Sequence, residues 1–283
     1  MSLNSVITNV SAEIALQSLE TTNTQLQVVQ KQVSTGYRVA DSTDDGAAFA
    51  IAQGVRSTVG ALTSANQQLG DVHGLLSTTQ TGLTNISNTL ASARNVLVKL
   101  SDGNVQGTDR TNYETQYGSL LSQVKTFIQD ANYNGKTLIG NLTGSAGTFA
   151  RVAVTRNENG ASYGISTFGG SALFGSISFT TTQLGAAATV AALITATGTF
   201  LNQFNSVGQA LNTIGSSVNY VAHEISYNSN KIDALNTGIG SLVDADLAKE
   251  SAQLQALQIR QQLGTQALSL ANQAPQSLLS LFK

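Results

Sequence analysis

Leu62, Leu69, Leu76, Leu83, Leu90 and Leu97 recur at every seventh residue. Three residues after each stands a second series, Ala65, Val72, Thr79, Ile86, Ala93 and Leu100, and the pattern extends backwards through Val55 and Ile51. Two apolar positions in every seven mark a helix that lays one narrow seam against partner helices. The spacing predicts a helix over residues 48–100, roughly 80 Å long at 1.5 Å per residue. Gly54, Gly60, Gly70, Gly74 and Gly82 interrupt it, each costing about 1 kcal/mol relative to Ala. Such a helix is not stable alone, so the rest of the chain has to supply its partners.

One partner is a shorter helix after the loop at 101–108, with Tyr113, Tyr117, Leu120, Val124, Phe127 and Ala131 on one face. A short loop favours antiparallel neighbours. A second, longer partner starts at Phe200. Its seam, including Val207, Leu211, Ile214 and Val218, alternates by four and three and is broken only at Asn228. A turn is expected near Gly238 to Gly240. Two terminal helices complete the reading, over residues 1–35 and from Ala245 almost to the end, with Pro275 as the one late breaker. Between the first and the long helix, Gly36 to Asp41 should break the chain. Ser42 and Asp45 then read as a capping box, with Asp44 and Asp45 at the positive end of the helix dipole.

The middle differs. No Asp, Glu, Lys or Arg occurs between Glu158 and Glu224. The runs Phe149 to Val154 and Ser176 to Thr180 alternate as strands do, and Asn134-Gly135 is a hairpin turn signal. The fold expected is mainly α: a long antiparallel coiled-coil or helical-bundle rod formed by both chain ends, with a β-hairpin and a small, partly β central insertion.

Composition narrows the function. Only 11% of residues are charged and 6% aromatic, the net charge is −2, and there is no Cys. Thin helical packing fits this better than a thick core, and neither nucleic acid nor membrane is indicated as a partner. No apolar run is long enough to span a bilayer, and the N-terminus does not read as a secretory signal. His223-Glu224-Ile225-Ser226-Tyr227 lacks the second His of a zinc peptidase motif, and the Asp41, Asp44, Asp45 group lacks calcium-loop spacing. The reading is therefore a non-enzyme that needs no metal or cofactor.

Several stretches resemble bacterial flagellin. Gln32-Val-Ser-Thr-Gly-Tyr-Arg38 and Asp41-Ser-Thr-Asp-Asp-Gly-Ala-Ala-Phe-Ala-Ile-Ala52 are similar to the family's S-T-G-x-R and D-D-A-A-G-x-A-I-A stretches. Asp244-Ala-Asp-Leu-Ala-Lys-Glu250 is a further match. Gln262-Leu-Gly-Thr-Gln-Ala-Leu-Ser-Leu-Ala-Asn-Gln-Ala-Pro-Gln-Ser-Leu-Leu-Ser-Leu281 resembles the family's closing helix.

The resemblance implies a subunit exported by the flagellum's own type III apparatus, without a cleaved signal, that polymerises outside the cell into a filament for swimming. Its partners would be copies of itself, sister flagellins, the flagellar cap, hook–filament junction proteins and an export chaperone. Residues 1–41 and 241–283 would form the inner filament-core domain, 42–140 and 197–240 the helical rod domain, and 141–196 a variable exposed insertion. That insertion should tolerate replacement of residues 150 to 190 by a short linker, and its Ser and Thr residues are candidates for glycosylation. Self-assembly would fall to Ile7, Ile14, Leu19, Leu26, Val33, Leu254, Ile259, Leu263 and Leu270. The stripe Ala252, Ala256, Ile259, Leu263, Ala267, Leu270 and Ala274 should pack on the N-terminal helix and on neighbouring subunits. Gln255, Gln258, Gln262, Gln266 and Gln273 share an uncharged helix face and would line the filament's channel. Ala91-Ser-Ala-Arg-Asn-Val96 departs from the Q-R-V-R-E-L stretch by which a Toll-like receptor senses many flagellins, which implies poor sensing. The alternatives are a hook–filament junction protein and a secreted helical adhesin.

Overall fold

The computed structural model describes the backbone of residues 9–280 and the side chains of residues 9–273. Long helices from both ends of the chain dominate: α1 (Val10–Thr35), α2 (Gly46–Leu100), α3 (Gly107–Asp130), α7 (Thr199–Val243) and α8 (Leu247–Ser280). Between α3 and α7 lie β1 (Lys136–Thr137), β2 (Thr148–Phe149), β3 (Val152–Thr155), β4 (Ser162–Ile165) and the short helices α4 (Gly170–Ile177), α5 (Thr181–Leu184) and α6 (Ala187–Leu193). The chain forms two compact units, one from residues up to Thr58 and from Asp233 onward, the other from Val59 to Ile232.

In the second unit the heptad seam is the core. Leu62, Leu69, Leu76, Leu83, Leu90 and Leu97 are all fully buried, as are Val207 and Val221 of α7. Thr79 shares this seam without cost because its hydroxyl donates to the Leu75 carbonyl, 2.7 Å away. Tyr117 crosses from α3 to the insertion, where its hydroxyl donates to the Ile177 carbonyl at 2.6 Å. Burial pushes its phenol pKa up. Arg110 ties the same end of the unit together. Its guanidinium donates to the carbonyls of Leu100, Val105 and Leu184, which satisfies a terminal carbonyl of α2.

The β-hairpin β3–β4 is antiparallel, with Val152 opposite Ile165 and Thr155 opposite Ser162. It docks on α7 through polar and aromatic contacts. Tyr163 stacks on Tyr220 with centroids 4.1 Å apart, and Lys231 pairs with Glu158. Asn228 is fully buried and donates to both Asn66 Oδ1 (3.0 Å) and the Arg156 carbonyl (2.8 Å). The break in the α7 heptad is thus a polar joint between α2, α7 and the hairpin.

Several sequence expectations need correction. Ser176 and Ile177 end helix α4 and do not start a strand; Leu173 and Ile177, one turn apart, are both buried. Helix α7 runs through Gly238 and Gly240, because Ile239 and Val243 bury against Val39, Ala48 and Ala52. Ala52 of that cluster is fully buried, whereas Ile51 lies outside it and is 56% exposed, so Ile51 is not a seam residue. Helix α8 continues past Pro275 to Ser280. The capping box is absent. Asp45 alone caps α2, accepting from the backbone N–H of Ala47 (3.1 Å) and Ala48 (3.0 Å).

Nor is the insertion a loop appended to the bundle. Val154, Ile165, Leu173, Ile177, Leu184 and Val190 are buried in the same core as the seam leucines. Each such side chain contributes about 1.5–3 kcal/mol, against a total stability of only about 5–15 kcal/mol for a typical domain. Replacing residues 150 to 190 by a short linker is therefore expected to abolish cooperative thermal unfolding of the second unit. An unchanged melting temperature would show the insertion to be dispensable.

Candidate assembly surface

In the first unit α1 and α8 pack antiparallel. Asn9 donates to the Ala271 carbonyl (2.8 Å), and Asn23 accepts from Gln261 Nε2 (2.8 Å). Leu19, Leu26, Val29 and Val33 supply the inner face of α1, and Leu254, Leu257, Gln261, Gly264 and Leu268 that of α8. Gly264 sets the spacing, since a Cβ there would stand 3.1 Å from Leu19 Cδ1.

The residues expected to drive self-assembly therefore divide. Leu19, Leu26, Val33 and Leu254 are half-buried on the inner face. Ile14 (62% exposed), Ile259 (58%), Leu263 (58%) and Leu270 (71%) point away from it. Ile7 lies outside the described residues. The stripe expected to pack on the N-terminal helix is thus the wrong one: Leu254, Leu257 and Leu268 do so, while Ile259, Leu263 and Leu270 stay open. Gln255, Gln258, Gln262, Gln266 and Gln273 are exposed as well. With about 100° between successive residues, they form a polar stripe beside the open apolar one.

The corner between α1 and α2 is built from the Ser-Thr-Gly-Tyr-Arg stretch. Gly36 takes a left-handed φ of 74° and its N–H closes on the Gln32 carbonyl (2.9 Å), which ends α1. Arg38 then serves the open end of α7: its backbone N–H donates to the Val243 carbonyl (2.7 Å) and its guanidinium to that of Leu242 (2.5 Å). Tyr37 pairs with Asp244, and Ala245 N–H donates to the Gly36 carbonyl (3.0 Å). Asp246 starts α8 by accepting from the N–H of Ala248 (3.1 Å) and Lys249 (3.2 Å). The sequence marks these stretches but not their mutual contact, because its partners lie some 200 positions apart.

Lys31 bridges Asp41 (2.7 Å) and Asp44 (2.9 Å). Its ammonium, more than the bonds from Thr43, holds the Asp41 carboxyl well below the usual range, and it lowers Asp44 as well, ahead of the Ala40 N–H. In return Asp41 and then Asp44 raise the Lys31 pKa. The tie is complete between the ordinary carboxylate and lysine ranges. Acid removes it as the carboxylates protonate below their unfolded-chain values, and strong base removes it by neutralising Lys31. In a Lys31→Met variant the Asp41 carboxyl is expected to titrate closer to its ordinary range, read by carbon NMR. An unmoved Asp41 titration would show that Lys31 does not govern it.

In the second unit Leu211 and Val218 are half-buried and Ile214 is buried. His223 is exposed beside half-buried Glu224, and Tyr227 is 61% exposed. Among the described residues no group of three or more His, Cys, Asp or Glu could hold a metal ion, and no helix is long and apolar enough to cross a membrane.

Residues 6–143 match the bacterial flagellin N-terminal helical region, and residues 194–282 match the bacterial flagellin C-terminal helical region. Flagellin FljM of Caulobacter vibrioides is 32% identical over 287 residues, covering all of both chains. A flagellin of Brucella melitensis is 31% identical over 294 residues, covering 99% of each. Among solved structures, one named for a flagellar hook-associated protein of Vibrio parahaemolyticus superimposes with a TM-score of 0.59 at 18% identity, covering 71% of this chain and all of that one. This last likeness concerns the fold alone.

Proposed function

The chain belongs to the bacterial flagellin family, a family of structural, non-enzymatic proteins, and is a subunit of the extracellular flagellar filament; from that premise we propose how its surfaces serve polymerisation. The open apolar stripe of Ile259, Leu263 and Leu270, with Ile14 on α1, buries against neighbouring copies. The single observation that carries this reading is that these side chains are large, apolar and exposed on helices whose inner faces are already paired. In this reading residues 1–41 and 241–283 make the filament core, 42–140 and 197–240 the layer around it, and 141–196 the outer surface. The seam formed by Leu62 to Leu97 with Val207, Leu211, Ile214 and Val218 stiffens that layer.

Gln255, Gln258, Gln262, Gln266 and Gln273 face the channel. A solvated helix face usually carries Lys and Glu, and this stripe carries neither. An uncharged amide wall would not retain an unfolded chain in transit by its charge. Sister flagellins, the cap, junction proteins and an export chaperone are the further partners. The reading as a subunit of the filament proper, as opposed to its hook junction, is supported by full-length identity to flagellins. Sheared filaments analysed by peptide mass should contain this chain as bulk material. Trace amounts would favour the junction role.

Ser92, Arg94 and Asn95 are exposed on α2. Where a strongly sensed flagellin presents Arg, Ser92 offers one hydroxyl in place of five planar donors. A Toll-like receptor reporter assay is expected to give a weak response. A response equal to that of a strongly stimulating flagellin at equal dose would contradict this.

A further inference from the structure

Asn134-Gly135 and Asn159-Gly160 are the two Asn-Gly pairs of the chain, and their surroundings differ. Asn134 is the one non-glycine residue at positive φ among the described residues, at 47°, and its side chain is exposed. It sits in a tight turn in which Tyr133 and Lys136 exchange two backbone hydrogen bonds, of 2.8 and 3.0 Å. The Gly135 carbonyl accepts from Thr148 N–H, but the Gly135 N–H donates to no described group. Asn134, Gly135, Lys136 and Arg151 line one depression on the second unit, and no carboxylate lines it.

We propose that Asn134 is a site of spontaneous covalent modification, closing on Gly135 to a succinimide that opens to an acidic residue facing Lys136 and Arg151. The Gly135 nitrogen attacks Asn134 Cγ. A Cγ–N bond forms, the Cγ–Nδ2 bond breaks, and ammonia leaves with the proton from the Gly135 nitrogen. Water then cleaves the ring at one of its two carbonyl carbons. One cleavage leaves an aspartate at position 134; the other leaves a β-linked aspartate, with an extra carbon in the main chain. Attack requires the glycine nitrogen to lose its proton, and nearby cations favour the resulting anion. Lys136 and Arg151 supply that field and then stabilise the carboxylate product.

Asn159-Gly160 is an internal control. Its Gly160 N–H already donates to the Asn157 carbonyl (3.2 Å), and the nearby cation Lys231 is neutralised by its ion pair with Glu158. The same chemistry is disfavoured there on both counts. The β-linked product at 134 lengthens the chain inside a turn closed by two short backbone bonds, so it should break the Tyr133–Lys136 pairing. Modified subunits then accumulate with age.

The test holds the purified full-length subunit in mildly alkaline buffer and follows both Asn-Gly peptides by mass spectrometry, with isoaspartyl methyltransferase as the probe for the β-linked form. Conversion at 134 is expected to be several-fold faster than at 159. Changing Lys136→Gln and Arg151→Gln together should slow it by at most about fivefold per cation, the Coulomb limit for a unit charge about 4 Å away in water, and leave 159 unchanged. High salt on the unaltered chain should slow 134 in the same sense by screening. Equal rates at the two sites, faster conversion at 159, or a rate at 134 indifferent to both charge removal and salt would overturn the proposal.

Discussion

Changing Ile259, Leu263 and Leu270 together to aspartate is expected to abolish polymerisation while leaving the subunit folded. All three are more than half exposed and none contributes to the inner face that α8 presents to α1. Helix content by circular dichroism and the thermal midpoint should therefore change little. In a filament each side chain would forgo about 1–2 kcal/mol of residual burial, or roughly 4 kcal/mol per subunit. That alone raises the concentration needed for assembly about a thousandfold. Three carboxylates buried without partners would add to it. The readout is sedimentation after seeding with unaltered filaments. Pelletable polymer at the ordinary concentration would mean that this stripe is not an assembly surface.

The second large effect is internal. Leu76 and Leu83 are fully buried at the centre of the seam, so Leu76→Ala or Leu83→Ala leaves a cavity that rigid neighbouring helices fill only in part. Each is expected to cost about 2–5 kcal/mol, measured as a lower denaturant midpoint for the second unit. Val98 lies on the same helix but is 50% exposed, so Val98→Ala should stay within about 1 kcal/mol. Equal losses at Leu83 and Val98 would show that the heptad does not mark the core.

The seam was legible because its signal is long and local: a leucine every seventh residue, kept over six repeats, admits one face and one partner geometry. The terminal pair was legible as helices but not in its rotation. On α8 two stripes have the same period and three large apolar residues each, and the one whose other positions are alanine is the open one. The inner stripe mixes Leu254, Leu257 and Leu268 with Gln261 and Gly264. Its distinguishing mark is the small residue that lets Leu19 approach, which a count of apolar residues undervalues.

Asn228 was visible as a flaw in the α7 pattern. Its reason was not, because its partners, Asn66 and the Arg156 carbonyl, come from 162 and 72 positions away. The insertion misled for a related reason. Ser176-Ile-Ser-Phe-Thr alternates like a strand, yet Leu173 and Ile177 need a helical turn between them to bury on the same core. Gly238 and Gly240 looked like a turn because local propensity was counted without Ile239 and Val243, whose burial holds α7 in helix for another turn.

The central claim is that the paired terminal helices form the filament core, with the open apolar stripe of α8 between subunits and its amide stripe toward the axis. A helical reconstruction of native filaments tests this most directly. The expected map buries Ile14, Ile259, Leu263 and Leu270 against neighbouring copies and turns Gln255, Gln258, Gln262, Gln266 and Gln273 to the central channel. A map in which those apolar side chains face solvent, or in which the glutamines point away from the axis, would contradict it.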